Sequence, residues 1–89
     1  MAGPVTVTIV NRRGLHARAS ARFVTLASTF DAVVTVEKDG SSVTGTSIMG
    51  LMMLAAATGD TVEIAATGAQ ADEALTALVT LVETKFGED

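Results

Sequence analysis

Three features of the 89-residue chain predict a two-layer α+β sandwich. Several segments alternate apolar and polar side chains, the period of a strand with one buried face. Two longer segments carry apolar stripes at helical spacing, with a short apolar run between them. The resulting order is β-α-β-β-α-β-α. The economical packing is a four-stranded antiparallel sheet with three helices on one face. The length suits one small domain, here residues 1–89, and the chain shows no internal repeat and no linker.

Each element has its own signal. PVTVTIV (4–10) alternates Val5, Val7 and Ile9 with threonines, and NRRGL (11–15) breaks the pattern, with Gly14 as the turn residue. From His16 to Phe30 the period changes. Ala19, Phe23, Leu26 and Phe30 form one helical stripe, while Arg18, Arg22, Thr25 and Thr29 lie on a second face, toward solvent. AVVTVEKDGSSVTGT (32–46) reads as a hairpin, because Asp39-Gly40 suits a type I′ turn. Ser47 can cap a short apolar helix, about 48–56, which TGD (58–60) ends. DTVEIAAT (60–67) alternates Val62, Ile64 and Ala66, and TGAQ (67–70) turns. ADEALTALVTLVETKF (71–86) is the last helix. Leu75, Leu78 and Val82 form its stripe, joined by Ala71, Leu81 and Phe86. Asp72 and Glu73 suit its positive end and Lys85 its negative end, and Gly87 supplies the stop.

Composition narrows the function. Hydrophobic residues make up 48%, enough for an ordered core, and with three Phe and no Tyr or Trp that core must be largely aliphatic. The chain has no cysteine, which excludes disulfides, thiolate metal sites and cysteine nucleophiles. No apolar run approaches the roughly 20 residues of a membrane span or suits a signal peptide, so a cytoplasmic protein is expected. The net charge of −4 argues against general nucleic-acid binding. Its distribution is uneven. Residues 12–22 hold Arg12, Arg13, Arg18 and Arg22 with no acid, whereas the rest of the chain sets Lys38 and Lys85 against ten acids. Such a basic island attracts a phosphate or an acidic patch on a partner.

His16, the one histidine, stands inside this island where a strand gives way to a helix. Helix N-termini expose unpaired amides and bind phosphate. Arg18 and Arg13 can add charge-assisted hydrogen bonds to phosphoryl oxygens. Positive surroundings disfavour a charged imidazole, and a neutral one keeps a lone pair with which to attack. An ordinary surface histidine at a helix start has the same local residues. A metal site is disfavoured, since no partner ligands stand near.

GLHARASA (14–21) resembles the active-site motif of the histidine-containing phosphocarrier family, HPr, of the bacterial phosphoenolpyruvate-dependent phosphotransferase system. SIMG (47–50) resembles that family's regulatory serine segment, and the spacing, length and element order match over essentially the whole chain. The resemblance implies an open-faced β-sandwich. It implies a phosphoryl carrier without a cofactor rather than a turnover enzyme, and a monomer is expected, since partners would compete with any oligomer for the exposed patch. His16 would be phosphorylated on Nδ1 by phosphorylated enzyme I and would pass the group to a histidine of an enzyme IIA-type protein. Arg18, with the backbone amides of Ala17 and Arg18, would hold the phosphoryl group. Ala19 stands where the family often has proline, which suits a first helical turn. HARASA and SIMGLMMLAAATGD are more similar to the nitrogen-related branch than to the sugar-transport branch.

Ser47 carries two readings. A serine before an apolar run is ordinarily a cap, whereas the resemblance implies phosphorylation by an ATP-dependent HPr kinase/phosphorylase. Thr46 stands where many regulated relatives have lysine. The helix after Ser47 is too continuously apolar to bury every side. Leu51 and Leu54 are expected inside and Ile48 partly so, leaving Met49, Met52 and Met53 exposed at least in part. Methionine adapts to several surfaces, and the resemblance implies a docking patch of Ala21, Ile48, Met49, Met52 and Met53 around an exposed His16.

Two other classes of function make different demands on the sequence. A single-stranded nucleic-acid binder needs aromatic residues on its sheet, and these strands have none. A regulatory adaptor would bind partners through the His16 and methionine surface without phosphoryl relay. The chain has no Walker motif, no metal-ligand cluster and no carboxylate pair beside His16 in sequence.

Overall fold

A computed structural model describes residues 2–88, so Met1 and Asp89 of the expected 1–89 domain lie outside the described residues. The elements are β1 (Ala2–Thr8), α1 (Ala17–Ala27), β2 (Val33–Lys38), β3 (Ser41–Thr44), α2 (Ile48–Met53), β4 (Thr61–Thr67) and α3 (Ala71–Glu83), with a 3-10 turn at Lys85–Gly87. The strands lie in the order β1-β4-β2-β3, every neighbour antiparallel.

The alternation fixes how the sheet lies. Val7, Val34, Val36, Val62, Ile64 and Ala66 are buried, whereas Thr6, Thr8, Thr35, Glu37, Thr61 and Glu63 face water. Pairing keeps like with like: Val36 stands opposite Ile64, Val34 opposite Ala66 and Val7 opposite Val62. A slip of one residue in β4 would bring Glu63 to the apolar face, so the register is strongly specified. Ala19, Phe23 and Ala27 of α1, Leu51 of α2, and Ala74, Leu75, Leu78 and Val82 of α3 join these strands in one core. Asp39 and Gly40 both take positive φ, 51° and 82°, as the predicted type I′ hairpin turn requires.

Several element ends differ from the sequence reading. The first strand runs over Ala2–Thr8 rather than 4–10. Ile9 stays buried beyond it, its N–H donating to the Asp60 carbonyl at 2.8 Å, while Val10 is exposed. Val5 is only half-buried. The first helix begins at Ala17, because His16 is its extended N-cap, and stops at Ala27. Beyond that end, the Ser28 and Thr29 hydroxyls bond back to the Val24 and Leu26 carbonyls, competing with further helix. The short helix ends at Met53, not near 56. Ala55 turns left-handed at φ 53°, which buries Ala56 and turns its carbonyl toward Leu15.

The last helix ends at Glu83, three residues early. Lys85 and Phe86 take positive φ, 62° and 55°, so Lys85 lies past the helix end instead of in its last turn, and Gly87 closes the 3-10 turn rather than the helix. Left-handed non-glycine residues cost about 1–2 kcal/mol each. Full burial of the Phe86 ring returns roughly 1.5–3 kcal/mol. The Arg22 guanidinium adds a charge-assisted hydrogen bond to the Phe86 carbonyl. This turn carries the chain's end back toward the start of α1.

Candidate functional site

The segment before α1 is held from several sides. The Leu15 N–H donates to the Ala56 carbonyl at 2.9 Å, and the buried Ser20 hydroxyl donates to the Leu15 carbonyl at 3.2 Å. Asn11, fully buried, donates its side-chain amide to the Gly14 carbonyl at 2.8 Å. Gly14 takes φ 66° with its Cα against the Ala56 backbone. His16 follows this clamped loop directly, so its backbone is fixed before its side chain makes any contact.

The imidazole is engaged at both nitrogens. Nδ1 accepts the Arg18 backbone N–H at 3.2 Å, making His16 the side-chain cap of α1. Nε2 lies 2.5 Å from Oε2 of Glu88. The other carboxylate oxygen of Glu88 accepts the Asn11 side-chain amide at 3.0 Å. An acceptor at Nδ1 and a carboxylate at Nε2 together assign the Nε2–H tautomer. Nδ1 thus keeps its lone pair, directed at the positive end of α1.

The Asn11 hydrogen bond is the main cause holding the Glu88 carboxyl below the usual glutamate range. The His16 hydrogen bond and the charges of His16 and Arg13 add to this, and burial partly opposes it. The stabilisation from this closed C-terminus is therefore present above the ordinary glutamate pKa. It is lost as the pH falls through the lowered folded value.

Two expectations are corrected here. His16 is not openly exposed: its side chain is 14% accessible, with the Glu88 carboxylate against its Nε2 edge. Nor are its surroundings purely basic, since that carboxylate joins the arginines. Among the arginines, Arg12, Arg13 and Arg18 are exposed, while Arg22 is engaged with the C-terminal turn. The Arg18 guanidinium has no protein partner among the described residues. Ala17 opens α1, where the backbone amide lacks an intrahelical acceptor. Ala19 is fully buried, and α1 forms at this point without proline.

Ser47 caps α2, its Oγ accepting the Gly50 N–H at 2.9 Å. Leu51 and Leu54 are buried as expected. Met49 and Met53 are 72% and 80% exposed, Ile48 and Met52 both 41%, and Ala21 is half-buried. Because α2 packs against α1, the two motifs share one side of the molecule. A groove of about 620 Å³ runs along α1 toward the C-terminal turn, between Arg18, Ala21 and Thr25 on one side and Leu81, Phe86 and Gly87 on the other. Sequence reasoning missed Asn11 and Glu88. They meet across 77 positions, and neither lies in a periodic pattern that would have flagged it.

Comparison with known proteins places the fold and sequence in a known family. Residues 5–84 match the family described as PTS HPr component phosphorylation site. A phosphocarrier protein HPr of Neisseria meningitidis serogroup A is 51% identical over 83 residues, 93% of each chain. A phosphocarrier protein NPr of Shewanella violacea is 43% identical over 82 residues, 92% of this chain and 90% of that one. The crystal structure of HPr-C-His from Thermoanaerobacter tengcongensis superimposes with a TM-score of 0.93 at 46% identity, covering 99% of each chain. By this match over most of its length, the chain belongs to the HPr family of the phosphotransferase system.

Proposed function

We propose that this chain is a phosphocarrier whose His16 takes a phosphoryl group on Nδ1 from phosphorylated enzyme I and passes it to a histidine of an enzyme IIA-type protein. One observation carries the reading: Nδ1 accepts the Arg18 amide at the N-terminus of α1. A phosphoryl group on that nitrogen would meet the Ala17 and Arg18 amides and the exposed Arg18 guanidinium, all suited to its negative oxygens. The chain acts as a carrier, loaded and unloaded by other proteins in the cytoplasm, and not as a turnover enzyme.

Docking uses the exposed Ile48, Met49, Met52 and Met53 with Ala21, an apolar patch that would lie around the reacting atom of either partner. The decisive experiment is intact-protein mass spectrometry after incubation with phosphoenolpyruvate, magnesium and enzyme I. An adduct that a brief acid treatment removes is the expected result. A folded protein left unmodified by an enzyme I that phosphorylates another carrier would overturn the relay and favour a regulatory adaptor.

Phosphorylation of Ser47 by an HPr kinase/phosphorylase completes the reading. A charge there would lie at the edge of the methionine patch and oppose docking through its desolvation. The Ser47→Asp variant separates docking from folding, because aspartate caps a helix about as well as serine. Thermal stability is expected to stay within about 0.5 kcal/mol of wild type. The phosphoryl-transfer rate at low carrier concentration should fall about tenfold. An unchanged rate would remove Ser47 from the control of docking.

A further inference from the structure

The contact between Glu88 and His16 lies outside the sheet ladders and the helices, past the end of α3. Glu88 follows the last turn, yet its carboxylate lies 2.5 Å from Nε2 of the imidazole. Its second oxygen is tied by the side-chain amide of Asn11. Asn11 is itself fully buried and anchored on the Gly14 carbonyl, two residues before His16. The Phe86 carbonyl, held by Arg22, fixes the turn from which Glu88 projects. Carboxylate, imidazole and reacting nitrogen therefore stand in line, with a buried amide setting the carboxylate.

We propose that Glu88, set by Asn11, is a positioning residue that holds a proton on Nε2 of His16 through both halves of the phosphoryl-transfer cycle. This rests on the reading of His16 as the phosphoryl acceptor. During loading, the Nδ1 lone pair forms the new N–P bond. The bond from phosphorus to the donor breaks, its electron pair staying with the donor. Positive charge grows on the ring, and the carboxylate at Nε2 offsets it. During unloading the Nδ1–P bond breaks and its electron pair returns to Nδ1, while the acceptor forms its own bond to phosphorus. With Nε2 still protonated the ring leaves as neutral imidazole. Without that proton it would leave as imidazolate, a far poorer leaving group. The proton stays on Nε2 in both directions, so no base has to remove or return it.

The arrangement also accounts for the Arg18 amide at Nδ1. That N–H holds the lone pair toward the helix N-terminus in the resting protein and turns to a phosphoryl oxygen once the N–P bond forms. Glu88 and the amide thus act on opposite nitrogens, one keeping the proton and the other aiming the lone pair.

Glu88→Ala and Glu88→Gln test this, since both changes lie past the last packed side chain and leave the core intact. The first readout is the ring Nε2 proton by nitrogen-edited NMR of the unphosphorylated protein. A proton shielded from exchange is expected in wild type and absent in Glu88→Ala. The second is single-turnover phosphoryl transfer from phosphorylated enzyme I, followed over a range of carrier concentrations. The saturating rate is expected to fall about 10- to 100-fold in Glu88→Ala, with the concentration for half-saturation nearly unchanged. Glu88→Gln keeps an acceptor without the charge and should fall between the two. A saturating rate in Glu88→Ala equal to wild type overturns the proposal, as does a freely exchanging Nε2 proton in wild type. If wild type itself takes no phosphoryl group, the carrier reading fails instead. The NMR comparison still tells whether the carboxylate holds the ring proton.

Discussion

The His16→Ala protein is expected to fold and to accept no phosphoryl group from phosphorylated enzyme I. Losing the side-chain cap of α1 costs about 1 kcal/mol, a small part of the roughly 5–15 kcal/mol that keeps a domain folded. Chemically nothing replaces the ring. The chain has no second histidine and no cysteine, and Ser20, the nearest hydroxyl in sequence, is buried with its proton donated to the Leu15 carbonyl. The arginines and amides would still attract a phosphate but could not form a bond to phosphorus. Intact mass after incubation with enzyme I and phosphoenolpyruvate checks this, with circular dichroism to confirm the fold. The loss should be complete rather than graded. An acid-labile adduct surviving in His16→Ala would assign the chemistry to another residue.

Much of this site was legible in the sequence because its parts are local. The His16 cap and the Arg18 amide are two residues apart, and the Ser47 cap and Gly50 three. Helix N-termini are short-range structures, so their residues announce them. The strands were legible for a similar reason, since period-2 alternation fixes which side of Val34, Val36, Val62 and Ile64 meets the core. The sheet's one-sided burial and the antiparallel order then followed from packing.

The misses share a different character. The second and third helices ended early where a tertiary contact outweighed local propensity. Ala55 is a strong helix former, yet it turns left-handed so that the Ala56 carbonyl can reach Leu15. Thr84, Lys85 and Phe86 continue a helical pattern on paper. Burial of the Phe86 ring and the Arg22 bond to its carbonyl instead wrap the chain back toward α1. That wrap is what delivers Glu88 to His16. No pattern in residues 71–88 encodes it, because its causes lie on α1 and in the core. A basic island read from sequence therefore became, in three dimensions, an imidazole held between a helix amide and a carboxylate.

Replacing Gly14 by alanine is expected to be the most damaging small change near the site. At φ 66° an alanine carries about 1–2 kcal/mol of backbone strain. The larger difficulty is contact. A Cβ at this position would lie 2.3 Å from the Ala56 carbonyl oxygen and 2.9 Å from the Ala57 Cα. Both neighbours are backbone, so no rotamer change relieves the clash, and the two segments must separate. Separation breaks the hydrogen bond from the Leu15 N–H to the Ala56 carbonyl, leaving a buried donor and acceptor short of partners at about 1–3 kcal/mol. Together these give a loss of roughly 2–5 kcal/mol, or a fall in Tm of at least about 8 °C for a domain of this size. Gly40→Ala is the matched comparison. It has φ 82° but no atom within 4 Å of a Cβ, so it carries the backbone strain alone. Thermal unfolding of the two variants side by side isolates the contact. Equal shifts would mean that the Ala56 backbone yields freely and does not fix His16. The expected larger shift for Gly14→Ala should come with slowed phosphoryl transfer even at temperatures where the variant is folded. Moving Leu15 away from Ala56 would turn the imidazole off both the Arg18 amide and the Glu88 carboxylate.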